Sequence, residues 1–162
     1  MPLTPQPPPA RPSAWASDLV RRTFEREVSA QTVGSEGDDA HHASVDAAER
    51  LSSRLLASLV QWFGRAGTSA LASRALSRIQ FEHRSLASVR LSSTDVTLVG
   101  LDRAAEAHGA AATVAGVLAM LTELAHAMGR LVNDQLAAEI FTRSAAPGPP
   151  SAGRDSATTD PD

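Results

Sequence analysis

The chain has 162 residues and a formal net charge of −3, and with 43% apolar but only 4% aromatic residues a single domain must fill its core with leucine, valine and alanine. It contains no cysteine, which excludes disulfides, thiolate metal sites and thiol nucleophiles together. The acidic balance argues against a general nucleic-acid binder, whose affinity rests on neutralising phosphates. The 15 basic residues are all arginine, a bias expected of a GC-rich bacterial coding sequence.

Residues 1–12, MPLTPQPPPARP, lack the basic and apolar regions of a secretory signal, so a cytoplasmic location is expected. Their PxxP spacings favour polyproline II in a solvated tail. Residues 13–33 read as an amphipathic helix, with Trp15, Leu19, Val20, Phe24 and Val28 opposite Arg21, Arg22, Glu25 and Arg26, closed by Gly34. This helix is expected either to dock on the main bundle or to fold on a partner.

Residues 35–43, SEGDDAHHA, read as an acidic loop. Together with the start of the following helix they hold the only dense set of metal-ligand types, Asp38, Asp39, His41, His42, Asp46 and Glu49, of which His41, His42, Asp46 and Glu49 are the candidate metal ligands. A helix reaching back to His42 would set His42, Asp46 and Glu49 on one face, where imidazole and carboxylate suit Zn, Mn or Fe. No spacing here matches an established ligand motif, and no cofactor is expected.

Residues 46–63 read as a helix opened by the capping box Asp46-x-x-Glu49 and ended by Gly64. Its stripe is Ala48, Leu51, Leu55, Leu59, Trp62 and Phe63. Trp62 belongs to the core on this reading, with a partner-facing role as the alternative. A short link, 65–67, then leads to a second helix ending near Arg84, with Ala72, Ala75, Leu76, Ile79 and His83 on one face, so that the pair forms a helical hairpin.

Residues 85–94 read as either a loop or a short extended segment, since Val89 and Leu91 alternate with polar residues. From Thr94 a helical repeat of Leu98, Leu101, Ala105 and His108 is expected, interrupted by Gly100 and Gly109. The densest apolar run follows. In 110–140, Val114, Val117, Leu118, Leu121, Leu124, Met128, Leu131, Leu136 and Ile140 recur at helical steps, predicting one long helix bent near Gly129. Its first half is apolar all round, so it must be buried centrally or lie against a second copy. Glu123 and His126 oppose a membrane span, and no membrane association is expected. Residues 144–162 contain no large apolar residue and read as a disordered tail, leaving 44–143 as the folding unit.

Phe81 to Arg90, FEHRSLASVR, is similar to the histidine-box segment of sensor kinases, although no acidic residue follows His83 and the proline of that pattern is missing. The similarity implies a phosphorelay alternative with His83 or His126 as phosphoacceptor. Glu123 and His126, three apart on a helix, form a candidate acid–base pair. The expectation is therefore an all-α bundle of four to five helices with disordered ends: a non-enzymatic regulatory module that binds an unidentified protein and self-associates through 110–140. Trp62, Leu118 and Leu121 are its candidate contact residues, and metal or small-ligand binding is a further alternative.

Overall fold

Helices make up nearly all of the described residues, and their breaks fall at a few backbone positions that the helical geometry cannot accommodate. The structure is a computed structural model and describes residues 14–30 and 38–145, with the side chains of 38–41 left aside. In chain order the elements are α1 (Ala14–Ser29), α2 (Asp38–Glu82), a 3-10 turn (Arg84–Leu86), β1 (Arg90–Leu91), β2 (Leu98–Val99), α3 (Leu101–His108), α4 (Ala110–Val132) and α5 (Asp134–Ala145). The Pro-rich arm 1–12, the stop expected at Gly34 and residues 146–162 lie outside the described residues, whereas Ser144 and Ala145, expected to begin the disordered tail, are the buried end of α5.

α2 begins at Asp38, eight residues before the expected capping box, so most of the expected loop 35–43 is helical and Asp46 and Glu49 sit mid-helix. No glycine or proline stands between Gly37 and Gly64 to stop the helix from running back. Gly64 does break it, at φ 69° and ψ 169°, a conformation open to glycine because it has no Cβ. The break is one residue long, and 65–67, expected as a link, are already helical again.

The two arms of α2 run in opposite directions along α4, as expected. The first arm starts beside Ala110 at the beginning of α4 and reaches Ser144 of α5 through Ser58, with the hydroxyls 2.6 Å apart. The second arm passes Glu123 at Arg78, 3.2 Å away, and its end returns to the first turns of α4. There Ser85 Oγ donates to the Ala112 carbonyl at 3.0 Å. Gln80 Nε2 clamps the same corner by donating to the carbonyls of Leu86 and Val89 at 2.9 and 2.8 Å.

Residues 84–99 form the 3-10 turn and a two-stranded antiparallel ribbon that pairs Arg90 with Val99 and Leu91 with Leu98. Leu98 is thus in a strand and not in the helix expected from Thr94. Gly100, at φ 95°, turns the chain into α3. Arg65 donates to the Thr94 carbonyl and fastens the ribbon tip to the second arm of α2.

The long helix expected over 110–140 is two helices. Val132 ends α4, and Asn133, at φ 136°, turns the chain back. The Asn133 side chain caps α5 by accepting the Leu136 N–H at 2.9 Å, which satisfies one of the free donors at a helix start. α4 is the hub of the bundle and packs against every other described helix. Leu118 is half-buried and Leu121 is fully buried in the core, so Leu121 serves packing and offers no surface to a partner. In length and hydropathy α4 resembles a membrane span, but half of that window is buried in the bundle, as befits a central helix.

Two further fits hold the bundle together. α1 joins the core through Ala16 and Val20, and Glu27 near its end bridges Arg50, at 3.6 Å, and Arg54 on α2. Gly116 of α4 lies against Leu86, where an added Cβ would stand 2.7 Å from Leu86 Cγ. Gly116→Val is therefore expected to destabilise by roughly 1–3 kcal/mol through overpacking, partly offset by less than about 1 kcal/mol from removing a helix-interior glycine. Thermal unfolding followed by circular dichroism measures this, and an unchanged midpoint would show that Leu86 yields freely.

Candidate functional site

Two surface features lie at the end of the bundle where α4 begins. The first is a cleft of about 550 Å³ between the start of α2 and α3. It arises because His42 and Asp46 are one turn apart on α2, while Asp102 and Glu106 are one turn apart on α3, and the two ridges face each other. Val45, Ala105 and Ala110 line its apolar base. The cleft thus has a floor suited to an apolar group and a rim of three carboxylates and one imidazole, whose four residues are all exposed.

The second feature is Phe81, the most exposed large apolar residue described, at 92% of its full surface. Its position follows from helical phase. Thr68, Ala72, Ala75, Leu76 and Ile79 point the second arm of α2 into the core, and Phe81 comes two residues after Ile79, about 200° around the helix. It therefore stands on the outer face, beside Ser77 and Arg78 one turn back and in line with Arg74 two turns back. Arg84 follows in the 3-10 turn, and Arg74, Arg78 and Arg84 are all exposed. Around Phe81 the second arm and the 3-10 turn thus carry three arginines against Glu82, with Arg78 also 3.2 Å from Glu123 Oε1, a locally basic surface on an acidic chain.

The residues singled out from the sequence are scattered. His42 lines the cleft, Asp46 borders both it and a shallower groove along α2, and Glu49 lines that groove with Arg50 and Arg54. Among the described residues no group of three or more His, Asp or Glu is placed to hold a metal; the His41 side chain lies outside them. His83 is half-buried at the corner after α2. Its backbone N–H donates to the Ile79 carbonyl at 2.7 Å, and its carbonyl accepts the Leu86 N–H at 3.0 Å. His126 lies half-buried against Trp15, ring centroids 6.3 Å apart and edge to face. The two imidazoles are therefore on different elements in different settings.

Glu123 of the candidate acid–base pair turns Oε1 toward two arginines, Arg78 at 3.2 Å and Arg130 at 3.5 Å. Both arginines are more than half exposed, so solvent screening makes these pairs worth little to stability. Trp62 is 53% exposed, which corrects its core reading; Phe63, one position on, packs against the core instead. Phe81 was not among the expected contact residues, although the helical phase of the second arm alone places it opposite the core stripe.

Comparison of the chain with known protein families, with curated proteins and with solved structures finds no match.

Proposed function

We propose that the chain is a non-enzymatic, all-α interaction module whose contact surface is the basic outer face of the second arm of α2, centred on Phe81. The observation that carries this reading is the 92% exposure of Phe81 in a chain with very few aromatic rings. Leaving a phenylalanine in water forfeits the roughly 1.5–3 kcal/mol that burial of such a side chain yields, and a protein partner recovers that term at a contact. The flanking Arg74, Arg78 and Arg84 add charged, planar donors suited to carboxylates, which selects an acidic partner surface and steers its approach.

A photo-crosslinking phenylalanine analogue introduced at Phe81 in the cells that make the protein tests this reading. Ultraviolet exposure is expected to give covalent protein adducts from that position and none from the same analogue at Glu139, an exposed position on α5. Equal labelling at both positions, or none at Phe81, would remove the proposed surface.

A further inference from the structure

The geometry points to a second copy of this chain as the occupant of that surface: Phe81 of one copy seats in the cleft between α2 and α3 of the other, with Arg84 set against Asp102 and Glu106. This rests on the interaction reading above and names its partner.

The two features are complementary in shape, polarity and charge. The knob is a single apolar ring with Arg74, Arg78 and Arg84 near it and Glu82 beside it; the cleft is an apolar base of Val45, Ala105 and Ala110 beneath a rim of three carboxylates and one imidazole. At about 550 Å³ the cleft has room for a phenylalanine side chain together with the arginine stems beside it. Arginine stems cover apolar surface while their heads stay at the wet edge, which matches a cleft with a greasy base and charged lip. An aromatic ring seated in a pocket and surrounded by polar contacts is also the usual build of an interface hot spot.

Position favours a closed pair over an open chain of copies. The cleft is lined by Gly109 and Ala110 at the start of α4. The corner that follows Phe81 is tied to the same turns, through Ser85 to the Ala112 carbonyl and Leu86 against Gly116. Knob and cleft therefore share one end of the bundle, so the pair we infer is two-fold, each copy giving its knob to the other's cleft. That is the self-complementary arrangement by which symmetric dimers close.

Sedimentation velocity of the purified full-length chain is the test. The wild type is expected to be a dimer whose dissociation constant rises with ionic strength, since the rim contacts are exposed and screened. Phe81→Asp, and separately Asp102→Arg combined with Glu106→Arg, are each expected to weaken the dimer roughly 30-fold or more, as loss of a hot spot does. All three positions are exposed, so circular dichroism is expected to show an unchanged fold. The decisive arm mixes Phe81→Asp with the double cleft variant: one lacks the knob and the other the cleft, so the mixture retains one intact pair and recovers dimer that neither forms alone.

A wild type that stays monomeric at high concentration overturns the proposal, as does a dimer indifferent to Phe81→Asp or a mixture that recovers nothing. The crosslinking arm separates the two levels of inference. Adducts from Phe81 to a different protein, with a monomeric purified chain, keep the contact surface but remove the second copy. Adducts to neither remove both.

Discussion

Phe141→Ala is expected to lower the unfolding free energy by about 3–5 kcal/mol, the range for emptying a buried phenylalanine site. Phe141 is fully buried and heads the set of large core side chains, in a chain where few rings are available to fill space. Its helix, α5, packs on α4, α2 and α1, and truncating the ring would leave a cavity within the core. Against a typical total of about 5–15 kcal/mol, a loss of this size would leave the fold marginal. Urea denaturation measures it: the midpoint should fall with little change in slope. A midpoint within error of the wild type would place Phe141 outside the core.

Leu121→Ala is expected to cost about 2–5 kcal/mol, and the manner of the loss matters as much as its size. Leu121 is fully buried among the core residues of α4. The destabilisation should therefore appear undiminished at protein concentrations low enough to keep the chain monomeric. If the loss vanished on dilution, Leu121 would belong to a contact between copies, the role suggested by the apolar character of its helix. Measuring the shift at two concentrations separates these cases, because only a contact between molecules obeys mass action.

The helical class, the stripe of α2, the break at Gly64 and the apolar spine of α4 were legible because each rests on local periodicity or on one backbone-permissive residue. What escaped had non-local or short-range causes. Two-residue strands such as Leu98–Val99 carry no period of their own, and Leu98 matched a helical repeat by coincidence. The end of α4 is set by Asn133, whose left-handed backbone and capping carbonyl leave only a faint trace in sequence. The metal-ligand types around His42 were visible, but the opposing pair Asp102 and Glu106 lies some sixty residues away in sequence, and only the packing of α3 on α2 and α4 brings them to one cleft. Phe81 was readable from helical phase, yet a phenylalanine is ordinarily taken for core, and its exposure emerges only when the whole stripe is assigned.

The placement of α4 also governs how the molecule comes apart. Every other described helix covers part of it, so none can detach without exposing apolar surface on the hub, and α4 itself cannot be freed until its neighbours have gone. Fluctuations that open the ribbon or α3 leave this arrangement standing, so backbone amides near Val117 and Leu124 are expected to exchange only through global unfolding, which native-state hydrogen exchange measures. Loss of structure is thus all-or-none at the centre and graded at the periphery, and the face that bears Phe81 stands at the corner between the two.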